Sequence, residues 1–230
     1  MLYGRHSVEA ALANPRRRVI KLWATQNALQ RLEGKLPSGL AVELVAPHVL
    51  EQLAGSGSVH QGLVLEAQPL DSVLLEDVPA EGVVLVLDQV SDPHNFGAIL
   101  RVAAAFGVHA LITTERHGPG MTATLAKAAS GGLEHVAVIR ETNLARAIEA
   151  IKEKGFTVIG LDSEADNDLA TAPLQPPLAL VLGAEGKGLR RLTRERCDLL
   201  ARISLPGRIV SLNVSTAAAI ALYIAQTARP

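Results

Sequence analysis

Residues 82–113 read GVVLVLDQVSDPHNFGAILRVAAAFGVHALIT. An unbroken apolar run at 83–87 is followed by a polar turn. Helical spacing then covers 97–106, and a second apolar run occupies 110–113. Runs this short and continuous fit strands buried on both faces. Further runs lie at 136–139, 157–161 and 178–182, with helical stretches at 122–129 and 144–154. The repeated strand–helix alternation predicts a right-handed parallel α/β sheet. The last stretch, 213–227, reads as a helix crowded with alanines, small enough for another backbone to approach closely.

Upstream, the pattern is shorter. Residues 7–13 read as a helix stopped by Asn14-Pro15, 19–24 as a strand, 26–36 as a helix and 42–45 as a strand. A short helix starts near Pro47, and 61–66 closes the set as another strand. This predicts a small three-layer α/β unit over 1–68. Residues 69–81 are acidic and proline-flanked, as in a linker, and 82–230 form the second domain.

Composition narrows the function classes. With 48% hydrophobic and 20% charged residues, the chain can bury a core and is not globally disordered. No apolar run is long enough for a bilayer and the N-terminus lacks a signal-peptide pattern, so a cytoplasmic protein without membrane contact is expected. The single cysteine, Cys197, excludes an intrachain disulfide framework and a cysteine zinc site, and no metal site is expected. Residues 1–40 hold seven Lys/Arg against two acids, 41–90 hold eight acids and no Lys or Arg, and 186–210 hold seven Lys/Arg against two acids. Two basic segments on a chain of net charge −1 could form phosphate-facing patches or simply solvated surface.

Ligands of parallel α/β sheets bind at the carboxyl ends of the strands. Three loops there carry chemistry: 88–101 with Asn95 and Arg101, 183–189 with Gly183 and Glu185, and 203–215 with Ile203, Leu205, Gly207, Ser211, Leu212 and Asn213. Each has a structural explanation alone, as helix caps or tight turns. Walker A, the dinucleotide glycine fingerprint, a paired-histidine zinc helix and a nucleophile elbow are all absent, which removes the usual kinase, dehydrogenase and hydrolase readings.

In order and spacing the three loops resemble the motifs of the SpoU/TrmH class of SPOUT methyltransferases. Asn95-x-Gly97-Ala98 with Arg101 looks like motif one, Leu182-Gly183-x-Glu185-Gly186-x-Gly188 like motif two, and Ser211-Leu212-Asn213-Val214-Ser215 like motif three. Where the family reads Ile-Pro-Met, this chain has Ile203-Ser204-Leu205-Pro206. The start (Tyr3 to Val8) and His60-Gln61-Gly62 are similar to the L30e-like RNA-binding extension of bacterial 23S rRNA guanosine-2′-O-methyltransferases of this class.

The resemblance implies an L30e-like α/β/α N-terminal domain and a SPOUT domain with a C-terminal trefoil knot, working as a homodimer. It implies S-adenosylmethionine as cofactor, bound by Gly183, Ile203 and Leu212, with Leu205 and Gly207 beside them. Arg101, Asn95, Glu185, Ser211 and Asn213 would carry methyl transfer to a ribose 2′-hydroxyl. The substrate would be RNA, as 23S rRNA or a ribosome precursor, contacted by Arg5, Arg16, Arg17 and Arg18. Arg101 either activates the hydroxyl or binds a phosphate, leaving the proton to Glu185 or the RNA, since guanidinium stays protonated. Rival readings are a tRNA substrate, a non-catalytic RNA-binding or ribosome-assembly protein, and a dinucleotide enzyme.

Overall fold

The computed structural model describes residues 1–116 and 118–228; His117 and the last two residues of the 82–230 domain lie outside it. The N-terminal unit runs β1 (Leu2–Tyr3), α1 (Arg5–Ala13), β2 (Val19–Ala24), α2 (Gln26–Gln30), β3 (Ala41–Leu44), α3 (Pro47–Ala54) and β4 (Leu63–Ala67). Its sheet has the order β1-β4-β2-β3, parallel only between β2 and β3. Leu22 and Leu65 face Val8, Leu12 and Ala28 from α1 and α2, whereas Tyr3 and Val64 pack against Leu50 of α3. Three layers follow, as expected.

One helix differs from its expected length. Instead of continuing to 36, α2 ends at Gln30. Beyond it the chain tightens into three-residue turns, with Leu32 bonded to Leu29 and Lys35 to Leu32, and Gly34 at φ 77. The tightening drops Leu32 into the core, fully buried.

The second unit comprises β5 (Val83–Asp88), α4 (Pro93–Ala105), β6 (Ala110–Thr114), α5 (Ala123–Ala129), β7 (Ala137–Glu141), α6 (Leu144–Glu153), β8 (Thr157–Leu161), β9 (Asn167–Asp168), β10 (Leu178–Gly183), α7 (Arg191–Arg196), β11 (Leu199–Arg202) and α8 (Val214–Thr227). Its seven strands are ordered β7-β6-β5-β10-β8-β11-β9 and every pairing is parallel. On one face Phe96, Leu100 and Leu125 of α4 and α5 pack with Ala218 and Leu222 of α8; on the other, Ile148 and Ile151 of α6 cover Val84, Val158 and Val181. After β10 the chain runs out to β11, beyond β8, and returns to seat α8 against α4 and β10.

The units are joined by polar clasps. Arg17 donates to both Glu134 oxygens, at 2.6 and 3.1 Å, and Asn14 Nδ2 donates to the same carboxylate at 2.7 Å. Ser7 Oγ donates to the Ala126 carbonyl, and Gln61 Oε1 accepts from Lys127 Nζ and the Arg5 amide. Burial lowers the Lys127 ammonium below its ordinary pKa. Lys154 Nζ holds the segment before β5 through the carbonyls of Glu76 and Val78.

Candidate active site

The site is built where β5 and β10 end side by side, with Gly183 opposite Asp88. Asp88 is fully buried, and its carboxylate accepts from the amide and Nε of Arg190, at 2.9 and 2.6 Å. This ties the end of β5 to the exit of the glycine loop. The chain then turns through Gln89, at φ 60, to Asp92, which caps α4 by accepting from the amides of His94 and Asn95. Pro93 suits the first helical position, because its missing N–H would have had no partner there. Asn95 therefore sits in the first turn of α4, two residues before the expected helix start.

The loop after β10 folds onto itself: the Gly188 amide donates to the Ala184 carbonyl at 2.9 Å. A Cβ on Gly183 would stand 2.1 Å from the Gly188 carbonyl carbon, so only glycine allows the closure. Gly186 and Gly188 take the left-handed backbone that glycine adopts without steric cost.

The third loop delivers Asn213, whose Oδ1 accepts from the amide and hydroxyl of Ser215 and caps α8. Its Nδ2 donates to Asn95 Oδ1 at 2.9 Å, and Asn95 Nδ2 donates to Glu185 Oε2 at 3.4 Å. A longer 3.5 Å contact links Asn213 Nδ2 to the same oxygen. Three segments far apart in sequence thus converge on one carboxylate. Both bonds go to Oε2, and among the described residues Oε1 accepts none.

Beside this triangle lies a cavity of about 290 Å³, whose lining includes Gly183, Glu185, Ile203, Leu205, Ser211 and Leu212. A second cavity, about 460 Å³, adjoins it across Ala184, Glu185 and Val214, which line both. Gly207 lines neither. Ser204, where the motif departs from the family pattern, donates its hydroxyl to Asp168 on β9; that bond and one from the Ala170 amide hold the Asp168 carboxyl below the usual range. Ile203 and Leu205 on either side of Ser204 still reach the cavity, so the displaced proline leaves the wall intact.

Arg101 lines neither cavity. It lies six residues beyond Asn95, about 120° around the helix and ~9 Å along it. Its exposed side chain leaves α4 where Gly132 backs onto the Leu100 carbonyl and the Arg101 amide. Arg5, Arg16 and Arg18 are exposed. Arg17 is corrected: its side chain is 7% exposed and paired with Glu134, so it is unavailable to a phosphate. Cys197 caps the end of α7, and burial pushes its thiol pKa up to about 12.

In the sequence Asp88 and Gln89 stand only as part of a loop, without a motif role. An acid ending an apolar strand was the available signal for Asp88. Nothing in the sequence announced that Gln89 adopts a left-handed backbone.

Comparison with known proteins bears on this geometry. Residues 82–223 match the SpoU rRNA Methylase family, and residues 1–73 match the RNA 2′-O ribose methyltransferase substrate binding family. The chain is 40% identical to the 23S rRNA (guanosine-2′-O-)-methyltransferase RlmB of Ralstonia nicotianae, over 97% of this chain and 93% of that protein. It is 37% identical to the putative TrmH family tRNA/rRNA methyltransferase YacO of Bacillus subtilis, over 96% of this chain and 92% of that one. A solved RNA 2′-O ribose methyltransferase superposes with TM-score 0.84 at 26% identity, covering 99% of this chain and 88% of that one. The fold is also that of the SpoU methyltransferase AviRb from Streptomyces viridochromogenes, with TM-score 0.83, 23% identity, and coverage of 99% and 89%. The chain belongs to the SpoU rRNA methylase family.

Proposed function

We propose that this protein transfers a methyl group from S-adenosylmethionine to the 2′-hydroxyl of a guanosine in 23S rRNA. The observation that carries the reading is the convergence of Asn95, Glu185 and Asn213 beside a cavity walled by Gly183, Ile203 and Leu212. Relatives named for this reaction, aligned over nearly the whole chain, support the substrate.

The cavity suits the cofactor. It approaches the lower end of the roughly 300–1,000 Å³ typical of small-molecule sites, and its glycine wall lets a ligand lie against backbone. Gly183, Ile203 and Leu212 would hold the cofactor, with Leu205 supplying apolar surface. S-adenosylmethionine supplies an electrophilic methyl group on a sulfonium, so the protein's task is alignment, which can contribute ~7–11 kcal/mol. Glu185 accepts the ribose proton, and Asn95 and Asn213 fix its carboxylate in one orientation. Ser211, on the cavity wall beside Leu212, orients the ribose. Arg101, displaced from the triangle, suits contact with an RNA phosphate better than proton transfer.

The same reading divides the chain at 1–68, 69–81 and 82–230 into RNA-binding domain, linker and catalytic domain. Arg5, Arg16 and Arg18 give phosphate contacts that set affinity and register without reading bases. The outward run to β11 and return to α8 supports a trefoil knot, and exposed Ile209, Val210 and Tyr223 support a homodimer. No helix among the described residues is long and apolar enough to cross a membrane, which fits work on ribosome precursors in the cytoplasm.

The test is transfer of labelled methyl from S-adenosylmethionine to 23S rRNA lacking the modification, followed by nucleoside mass spectrometry. Label in 2′-O-methylguanosine is expected. Label on a base, or none, overturns the proposal.

A further inference from the structure

The second cavity takes its walls from the loop after β5, the first turn of α4 and the glycine loop, and includes Gln89, Ser91, Asp92, Asn95, Glu185 and Lys187. Its chemistry is unlike that of the first. Two carboxylates and two carboxamides make it rich in hydrogen-bond acceptors. Asp92 spends one acceptor site of each oxygen on the α4 amides and, as a carboxylate with about four such sites, keeps the rest. Glu185 Oε1 accepts no bond among the described residues. The two carboxylates attract a group presenting N–H donors. Gln89 stands in it on a left-handed backbone, a conformation uncommon for non-glycine residues and one that clusters at functional sites.

Covalent geometry says which part of the substrate arrives here. The base is attached to C1′ of the ribose, next to the carbon bearing the 2′-hydroxyl. A ribose whose hydroxyl meets Glu185 must therefore place its base within a few bonds of that residue, and this cavity shares Glu185 with the donor cavity. Bases outside a duplex are read along their Watson–Crick edges. Guanine alone presents two adjacent donors there, N1–H and the 2-amino group, next to the acceptor O6. A carboxylate accepts from both donors, while a carboxamide N–H can donate to O6.

We infer that this cavity is the target-nucleobase site, with the Asp92 carboxylate selecting guanine by its N1–H and 2-amino group, Gln89 donating to O6, and Lys187 meeting the flanking phosphate. The inference rests on the proposed function, since it presumes a ribose at Glu185. Adenine would leave the carboxylate facing ring atoms without donors, so the bonds made to guanine would be lost.

The test is a cycle of substrate against protein. A 23S rRNA fragment carrying the mapped nucleotide is prepared with guanosine, inosine (which lacks the 2-amino group) or adenosine at that position. Each RNA is assayed with the wild-type protein and with Asp92→Asn. Asparagine is as common a helix cap as aspartate, and its one oxygen keeps one of the two amide bonds that start α4. Wild-type kcat/KM should fall about ten- to hundredfold from guanosine to inosine, the worth of a bond to a charged group, and further for adenosine. In Asp92→Asn the guanosine-to-inosine ratio should shrink toward one. The ratio is internal to each protein, so partial misfolding cancels. An undiminished ratio in Asp92→Asn overturns the inference. Gln89→Ala, which leaves the α4 cap untouched, should lower kcat/KM on guanosine RNA without weakening donor affinity; no change overturns the Gln89 assignment. Wild-type protein that binds the donor yet leaves every RNA unmethylated overturns the function reading instead, and this inference with it.

Discussion

Arg17 shows how residue chemistry depends on a partner that sequence does not reveal. Within Arg16-Arg17-Arg18 the three guanidinium groups read alike, yet the middle one is buried against Glu134, 117 positions away. Breaking a buried pair strands the remaining charge and costs about 3–5 kcal/mol, against at most about 1 kcal/mol for an exposed pair. Arg17→Ala should therefore lower stability by about 3 kcal/mol in urea unfolding, with Arg16→Ala near neutral; equal small effects would contradict the burial. Asn95, Glu185 and Asn213 were legible because polar residues flanking glycine turns at strand ends leave few structural alternatives when all three loops carry them. Asp88 was not, because its partner Arg190 becomes its neighbour only after β5 and β10 pair.

Elements divide by burial. β5, β6, β8 and β10 were readable as apolar runs because both their faces are covered, and burial leaves little freedom in residue type. β9 and β11 were not, because they hold only two and four residues. Yet β9 matters, because Asp168 on it anchors Ser204 in the cavity wall. Gly97 was legible as a motif residue without its reason. A Cβ there would lie 2.5 Å from the Ala128 Cβ and 2.7 Å from the Leu125 carbonyl, so it sets the approach of α4 to α5. Helix propensity alone would make Gly97→Ala stabilising by about 1 kcal/mol, whereas overpacking costs typically 1–3 kcal/mol. The backbone carbonyl cannot rotate away, so steric cost should win. A lower thermal midpoint, with reduced turnover as Asn95 shifts, is the expected result; a raised midpoint would contradict it.

Across the whole molecule, the N-terminal unit is held to the catalytic one through α5 and the Gly132–Glu134 turn, and α5 packs on α4, whose first turn holds Asn95. The parallel sheet could be read from the sequence, but the clasp between it and the N-terminal unit could not, since each of its bonds joins residues more than 60 positions apart. Function follows only if the glycine loop closes a donor site at the ends of β5 and β10. Calorimetric titration of S-adenosylmethionine into the wild-type protein and Gly183→Ala probes this directly. Saturable binding by the wild type, lost when a Cβ is forced against Gly188, is the expected result; no heat from the wild type, or equal affinity in both proteins, would contradict it.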